Sequence, residues 1–307
     1  MPGAPAVPPA FAHTFEPITV AAGQEMSGVC QSWTVGNADS VYVNEVLSSN
    51  DGAFHHSNWI WVTDDMFTGP DGTWTCADRG FDQILAGATG GVFFAQSTQA
   101  RADTQAFPPG VAFQMPAHVR IIGDVHLLNA TQADIQTSLR FEVYTLPASE
   151  VRVPLQPMAF TNTALDIAAS GETKARMQCA TPQPDFDIYY ILPHFHVLGQ
   201  NMAIDVAGGS LDGKVIYRSS GSFGEAWGQT FDPPIAVTGA LGLGVTCDYQ
   251  NPRSTAVHYG EGDQEMCVTL IYTSGQKAGG MALTNLTTTD QGGVHSTDSL
   301  CVSVGSP

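Results

Sequence analysis

The chain has 307 residues, a length that suits about two domains. Hydrophobic residues make up 43% and charged residues 13%, which excludes bulk disorder. Eleven basic residues against 29 acidic ones leave a net charge of −18, a surface that repels phosphate backbones and anionic headgroups and argues against nucleic acid and membrane partners.

No apolar run reaches the ~18–20 residues that a membrane helix needs. The start, Met1-Pro2-Gly3-Ala4, has neither a basic region nor an apolar stretch of the signal-peptide kind. The expectation is therefore a mature secreted or periplasmic form. Residues 1–14, rich in proline, read as a disordered lead-in. Beyond them, short apolar stretches alternate with Gly, Pro, Asn and Asp clusters. Val41–Val46, Val92–Ala95, Val119–Ile122, Leu139–Tyr144 and Val268–Tyr272 are rich in β-branched and aromatic residues, and several alternate with period two. The 32 glycines and 19 prolines suit a turn-rich protein. These features predict an all-β chain of two tandem antiparallel, jelly-roll-like sandwiches. Pro147, Pro154 and Pro157 mark the boundary, giving domains over 15–150 and 151–307. The Gly/Ser/Thr-rich stretch 274–298 reads as a loop before a last strand at Leu300–Val304. Asn129 and Asn285 sit in sequons, open to glycosylation in a eukaryotic source.

The six cysteines, Cys30, Cys76, Cys179, Cys247, Cys267 and Cys301, are widely spaced and contain no CxxC pair. An even count without metal-type spacing predicts three disulfides and an oxidising compartment.

Nine histidines are present, four of them in two tight groups. His194 and His196, two apart after Pro193, share one face if they lie on a strand and could chelate one ion. His55 and His56 are adjacent, and neighbours on a regular strand face opposite sides. Both reach one ion only at a strand end or bulge. His126 ends an apolar stretch, Ile121–His126. Met266 follows an acidic, Gly-rich loop and adjoins Cys267; its ordinary role would be core packing. His118 and His258 are set aside as contributing at most indirectly.

Four patterns occur in order: Phe54-His55-His56, Gly123-Asp124-Val125-His126, His194-Phe195-His196-Val197-Leu198-Gly199 and Gly262-Asp263-Gln264-Glu265-Met266-Cys267. Together they resemble the copper type II, ascorbate-dependent monooxygenases, the family of peptidylglycine α-hydroxylating monooxygenase and dopamine β-monooxygenase. The resemblance spans about residues 15–305. It implies a first-domain copper on His55, His56 and His126, and a second-domain copper on His194, His196 and Met266. The second would be the catalytic one, hydroxylating an sp3 C–H with O2. The first would store an electron, with ascorbate or a similar reductant reloading both. The resemblance also implies the pairs Cys30–Cys76, Cys179–Cys301 and Cys247–Cys267. Five imidazoles and one thioether, without thiolate, suit a metal cycling between Cu(I) and Cu(II).

The pattern departs from the peptide-amidating member. Leu192, Val268 and Leu270 stand where that enzyme has Arg, Asn and Tyr to grip a peptide carboxylate, so a C-terminal glycine peptide is not the expected substrate. Asp124 replaces a Gln beside His126 and reads as a solvated carboxylate or a cation contact. The expected function is monooxygenation of an unidentified small molecule or peptide. The alternative is a non-catalytic secreted or periplasmic copper-binding protein on the same scaffold.

Overall fold

A computed structural model describes residues 8–219, 227–260 and 262–303. The chain is all-β, and it divides into two compact units, residues 1–155 and 156–307.

In the first unit, a five-stranded antiparallel sheet runs in the order Gly72–Thr75, Glu25–Thr34, Val119–Leu128, Phe54–Thr63 and Gly91–Gln96. A second sheet carries Phe11–Thr14, Leu139–Leu146 and Val41–Asn50, with Ala102–Ala106 and Val111–Met115 both pairing to Val41–Asn50. Aromatic side chains from the two sheets meet. Trp59 of the first packs edge-on to Phe141 of the second at 4.8 Å between ring centroids, and Phe93 and Phe94 reach the same ring at 5.4 and 5.5 Å. Gly123 is the register partner of Trp59, and a Cβ there would lie 2.5 Å from the indole, so only glycine admits that ring. The five-stranded sheet is covered on its other face as well, by Ile60, Val62, Ile122 and the Cys30 and Cys76 side chains packed with Ala86 of the helix Gln83–Thr89. Two covered faces explain the almost unbroken burial along Val119–Leu128. The helix carries no long periodic stripe, which is why the chain reads as helix-free by pattern. Asp82 caps it by accepting the Leu85 N–H.

The lead-in ends earlier than expected. Phe11–Thr14 is a strand in register with Arg140–Val143, because its in/out alternation places Phe11 and His13 against the unit while Ala12 and Thr14 face solvent. Residues 1–7 lie outside the described ones.

The second unit has two runs of strands. One holds Ala278–Gln291, Val294–Ser303, Gly171–Ala180, Gly242–Asn251, Gly199–Ala207 and Val215–Arg218. The other holds Val153–Asn162 from Gln156 onward, Val268–Thr273, Phe186–His194 and Gln229–Val237. Both feed one core, with Met177, Met202, Ile204 and Val245 from the first run and Phe160, Ile188, Ile191 and Ile271 from the second. The loop expected over 274–298 is instead most of a long hairpin, Ala278–Gln291 with Val294–Ser303. Gly292 and Gly293, with φ of 61° and 85°, make its two-residue turn, which only residues at ease with positive φ allow. Repeated threonines then extend well as strand.

All three disulfides form: Cys30–Cys76, Cys179–Cys301 and Cys247–Cys267. Among the described residues, no helix is long and apolar enough to cross a membrane. Asn129 is fully buried, its amide donating to the carbonyls of Val20, Ala21 and Ala133, so that sequon cannot carry a glycan in the folded protein. The Asn285 amide is likewise engaged, donating to the Ala164 carbonyl.

Candidate functional site

The first unit brings His55, His56 and His126 together. One ring nitrogen from each lies within 4.8 Å of the others. The strand pairing shows how adjacent histidines achieve this. His126 pairs with His56 and Leu127 with Phe54, so His55 is the extra residue of a bulge. The other neighbouring strand is irregular at the same point: Val125 pairs with Val29 and Leu127 with Met26, with Gly28 at φ 67°. Interrupted on both sides, the sheet turns three imidazoles toward one place. Ring centroids are 5.2 Å apart for His55–His56, 5.1 Å for His55–His126 and 4.6 Å for His56–His126.

Glu25, which no motif singles out, completes this arrangement. Its Oε1 lies 2.7 Å from His126 Nε2, while His126 Nδ1 lies 2.7 Å from His56 Nε2. A carboxylate only accepts, so Nε2 of His126 carries the proton and Nδ1 presents its lone pair toward His56. Asp124, on the same strand face, is half-buried and has a protein partner. Its Oδ2 accepts from Gln83 Nε2 at 2.7 Å, and Gln83 Oε1 accepts from Asn58 Nδ2 at 3.0 Å.

In the second unit, His194 and His196 do not share a strand face. The strand Phe186–His194 ends at His194, and His196 opens a turn closed by the Gly199 N–H donating to the His196 carbonyl at 3.0 Å. Phe195 is the reason. Its ring is buried in the core and lies over Gly199, where a Cβ would be 2.1 Å from it. The chain turns to bury that ring, and the two imidazoles still come within 5.2 Å of each other.

The Met266 loop is tied to the same turn by Glu265. One carboxylate oxygen accepts the His196 N–H at 2.8 Å and the Met266 N–H at 3.3 Å; the other accepts the Leu198 N–H at 2.7 Å. His196 Nδ1 donates to the Gln264 carbonyl at 2.9 Å, leaving Nε2 as the nitrogen with a lone pair. The Tyr249 hydroxyl donates to the Met266 carbonyl at 2.7 Å, and Cys267, next in sequence, is bonded to Cys247. Burial pushes the Glu265 carboxyl up to about 7, against the pull of its backbone N–H bonds from Leu198, His196 and Met266. Burial likewise raises the Tyr249 phenol well above its ordinary value. Glu265 was visible as part of the Glu-Met-Cys triplet, but its role rests on long-range backbone contacts that no spacing reveals.

Leu192 pairs with Leu270, and His194 with Val268, on adjacent antiparallel strands. These four therefore share one face. Leu192 and Leu270 are buried, and Val268 is half-buried. His194 thus sits at the end of an aliphatic strip, continued by the Tyr190–Tyr272 pair with ring centroids 6.2 Å apart.

Imidazole and thioether donors are of the kind that copper takes. Three imidazoles converge at the first place; at the second, the His196 ring and backbone are hydrogen-bonded to the loop that carries Met266, and the His194 ring lies 5.2 Å from that of His196. His118, with φ 57°, occupies an exposed turn.

No family model matches the chain, and no curated protein matches it. Among solved structures it is similar to PNGase F, a glycosylasparaginase from Flavobacterium meningosepticum, at 8% identity and a TM-score of 0.35, covering 88% of this chain and 97% of that one. It is also similar to the cowpea mosaic virus top component, at 10% identity and a TM-score of 0.33, covering 84% and 89%. PNGF-II follows with 8% identity and a TM-score of 0.32, covering 85% and 66%. Likenesses this weak assign no activity.

Proposed function

We propose that the protein is a secreted or periplasmic copper-dependent monooxygenase that hydroxylates an sp3 C–H of an apolar small molecule or peptide side chain. The observation that carries this reading is the Glu265 clamp, which holds a methionine loop against the His194–His196 turn. A soft thioether beside two imidazoles favours Cu(I), whereas zinc would have little use for it. Copper bound there would supply one-electron chemistry with O2 and an ascorbate-type reductant.

The chain's own residues do the rest. Glu265 and Tyr249 fix the backbone on both sides of Met266. Gln264 fixes the His196 tautomer. Glu25 does the same for His126 in the three-histidine set, whose lack of a soft ligand suits electron storage. Leu192, Val268 and Leu270 flank His194 with apolar surface and offer no partner to a substrate carboxylate, which disfavours peptides bound by their C-terminus. Three disulfides support an oxidising compartment.

The test is oxygen uptake by copper-loaded protein with ascorbate and a panel of apolar amines, phenethyl compounds and peptides. Substrate-dependent uptake with a hydroxylated product is expected. Two bound coppers without any turnover would overturn the enzyme reading. It would leave the second reading, a copper-binding protein without catalysis, which the burial of Leu192 and Leu270 at the anchor positions favours.

A further inference from the structure

The aliphatic strip beside His194 belongs to a longer row. His194 is the register partner of Val268, Val268 of Thr161, Thr161 of Met281 and Met281 of Val302, across five neighbouring strands of the second unit. Register partners point to the same side, so the row lies on one face of the sheet, opposite the core that holds Phe160 and Ile271. Four strand spacings of ~4.8 Å make it roughly 19 Å long. Two residues along the same strands, Leu192, Leu270, Ala159 and Gly279 form a second row beside it.

Exposure changes along this track. Leu192 and Leu270 are buried; His194, Val268, Thr161 and Met281 are half-buried; Val302 is 57% exposed. Leu300, two residues before Val302 and on the same face, is 53% exposed. The track thus runs from solvent to a candidate copper ligand. Apart from His194 none of its residues titrates, and Thr161 carries its one hydroxyl. A hydrocarbon chain suits such a surface, because each CH2 laid on it leaves water. A peptide does not. The strands Val268–Thr273, Val153–Asn162 and Ala278–Gln291 are each paired on both sides at this row, so their backbone groups have no bond to offer, and peptide amides would lose water unpaired. The net charge of −18 disfavours an anionic head group.

We infer that this face binds a long unbranched alkyl chain with an uncharged or cationic head, the head in water beyond Val302 and the tail directed along the row to His194. The gradient of exposure sets the direction, since a polar head keeps its hydration only at the open end. The inference narrows the substrate class of the monooxygenase reading. It rests on that reading in calling the chain a substrate, whereas the binding itself needs no copper.

The experiment is calorimetric titration of the metal-free, full-length protein with hexyl, octyl and tetradecyl maltoside, each below its micelle concentration. Affinity should rise with chain length, by up to about fourfold per CH2. Val302→Asp and Leu300→Asp alter exposed positions and leave the core intact. Each should weaken tetradecyl maltoside by about tenfold or more, the loss of two to three buried CH2 groups. Leu241→Asp, at an aliphatic residue that is 68% exposed and not part of the row, should change nothing. Affinity independent of chain length, Val302→Asp binding as tightly as wild type, or an equal loss in Leu241→Asp would overturn the inference. So would a dimer in sedimentation that Val302→Asp dissociates, because a second copy would then cover this face. Length-dependent binding without oxygen uptake by the copper-loaded protein would uphold the track and count against the monooxygenase reading alone.

Discussion

Glu25 Oε1 lies 2.7 Å from His126 Nε2, and the opposite nitrogen of the same ring lies 2.7 Å from His56 Nε2. The carboxylate fixes which nitrogen of His126 is protonated and aims the other at the histidine cluster. Removing it frees the ring to flip tautomer or rotate. Glu25→Ala should lower copper affinity at this site by about 10- to 100-fold, the usual effect of losing such a partner, and leave the methionine site unchanged. Competition with a chromophoric Cu(I) chelator reads both affinities. If Glu25→Ala binds two equivalents as tightly as wild type, the carboxylate does not position the ligand.

Glu265 has a different task, because it accepts three backbone N–H groups. Glu265→Ala would strand buried donors, at a cost of about 1–3 kcal/mol for an unsatisfied group. Glu265→Gln keeps the shape but sets an amide N–H against one of those donors, so it should also destabilise. Urea unfolding of the metal-free proteins measures both. A Gln variant as stable as wild type would mean that the clamp contributes little. The same variants should bind copper less tightly at the methionine site, since His196 and Met266 would no longer share an anchor.

The residues that gather were largely readable in the chain; the way in which they gather was not. The His55–His56 pair demanded an irregular strand, and the bulge opposite His126 supplies it. The His-x-His spacing suggested a shared strand face, but burial of Phe195 outweighs strand continuation, so His196 lies in a turn. Glu25 could not have been found: it is one acid among many, about a hundred residues from His126, and only the pairing of Leu128 with Glu25 brings it near. The Asp124 partner Gln83 was not legible because it sits on a helix too short to leave a periodic trace. The Thr-rich tail read as loop because its composition resembles one, whereas two glycines at its turn make it a hairpin.

Asp103 provides a pH-dependent element away from the metal ligands. It is buried in the strand Ala102–Ala106, and its Oδ1 accepts the Thr104 N–H at 2.7 Å. Burial pushes its carboxyl up to about 6 from 3.8, and the backbone bond only partly offsets this. The folded state therefore holds a proton that the unfolded chain has released. The stabilisation is full below pH 3.8 and is lost as pH rises through about 6. Asp103→Asn removes the titration. The stability of the variant relative to wild type should rise by roughly 3 kcal/mol between pH 3.5 and 7. Urea midpoints for both proteins across that range give the answer, and parallel profiles would refute it.

Met266 separates the two candidate sites by chemistry instead of by place. It is half-buried, so Met266→Ile keeps volume and hydrophobicity at a cost of less than about 1.5 kcal/mol. The substitution deletes the sulfur while Glu265, Tyr249 and the Cys247–Cys267 bond still hold the loop backbone. Cu(I) affinity should fall at one site only, and substrate-dependent oxygen uptake should disappear while Tm stays close to that of wild type. His56→Ala is the complementary change: it should empty the three-histidine site and spare the other. X-ray absorption of the Cu(I) forms distinguishes the two, because the sulfur contribution should vanish in Met266→Ile and persist in His56→Ala. A sulfur signal that survives the isoleucine substitution, or equal copper loss from both sites in either variant, would mean that Met266 is not the soft ligand of a separate centre.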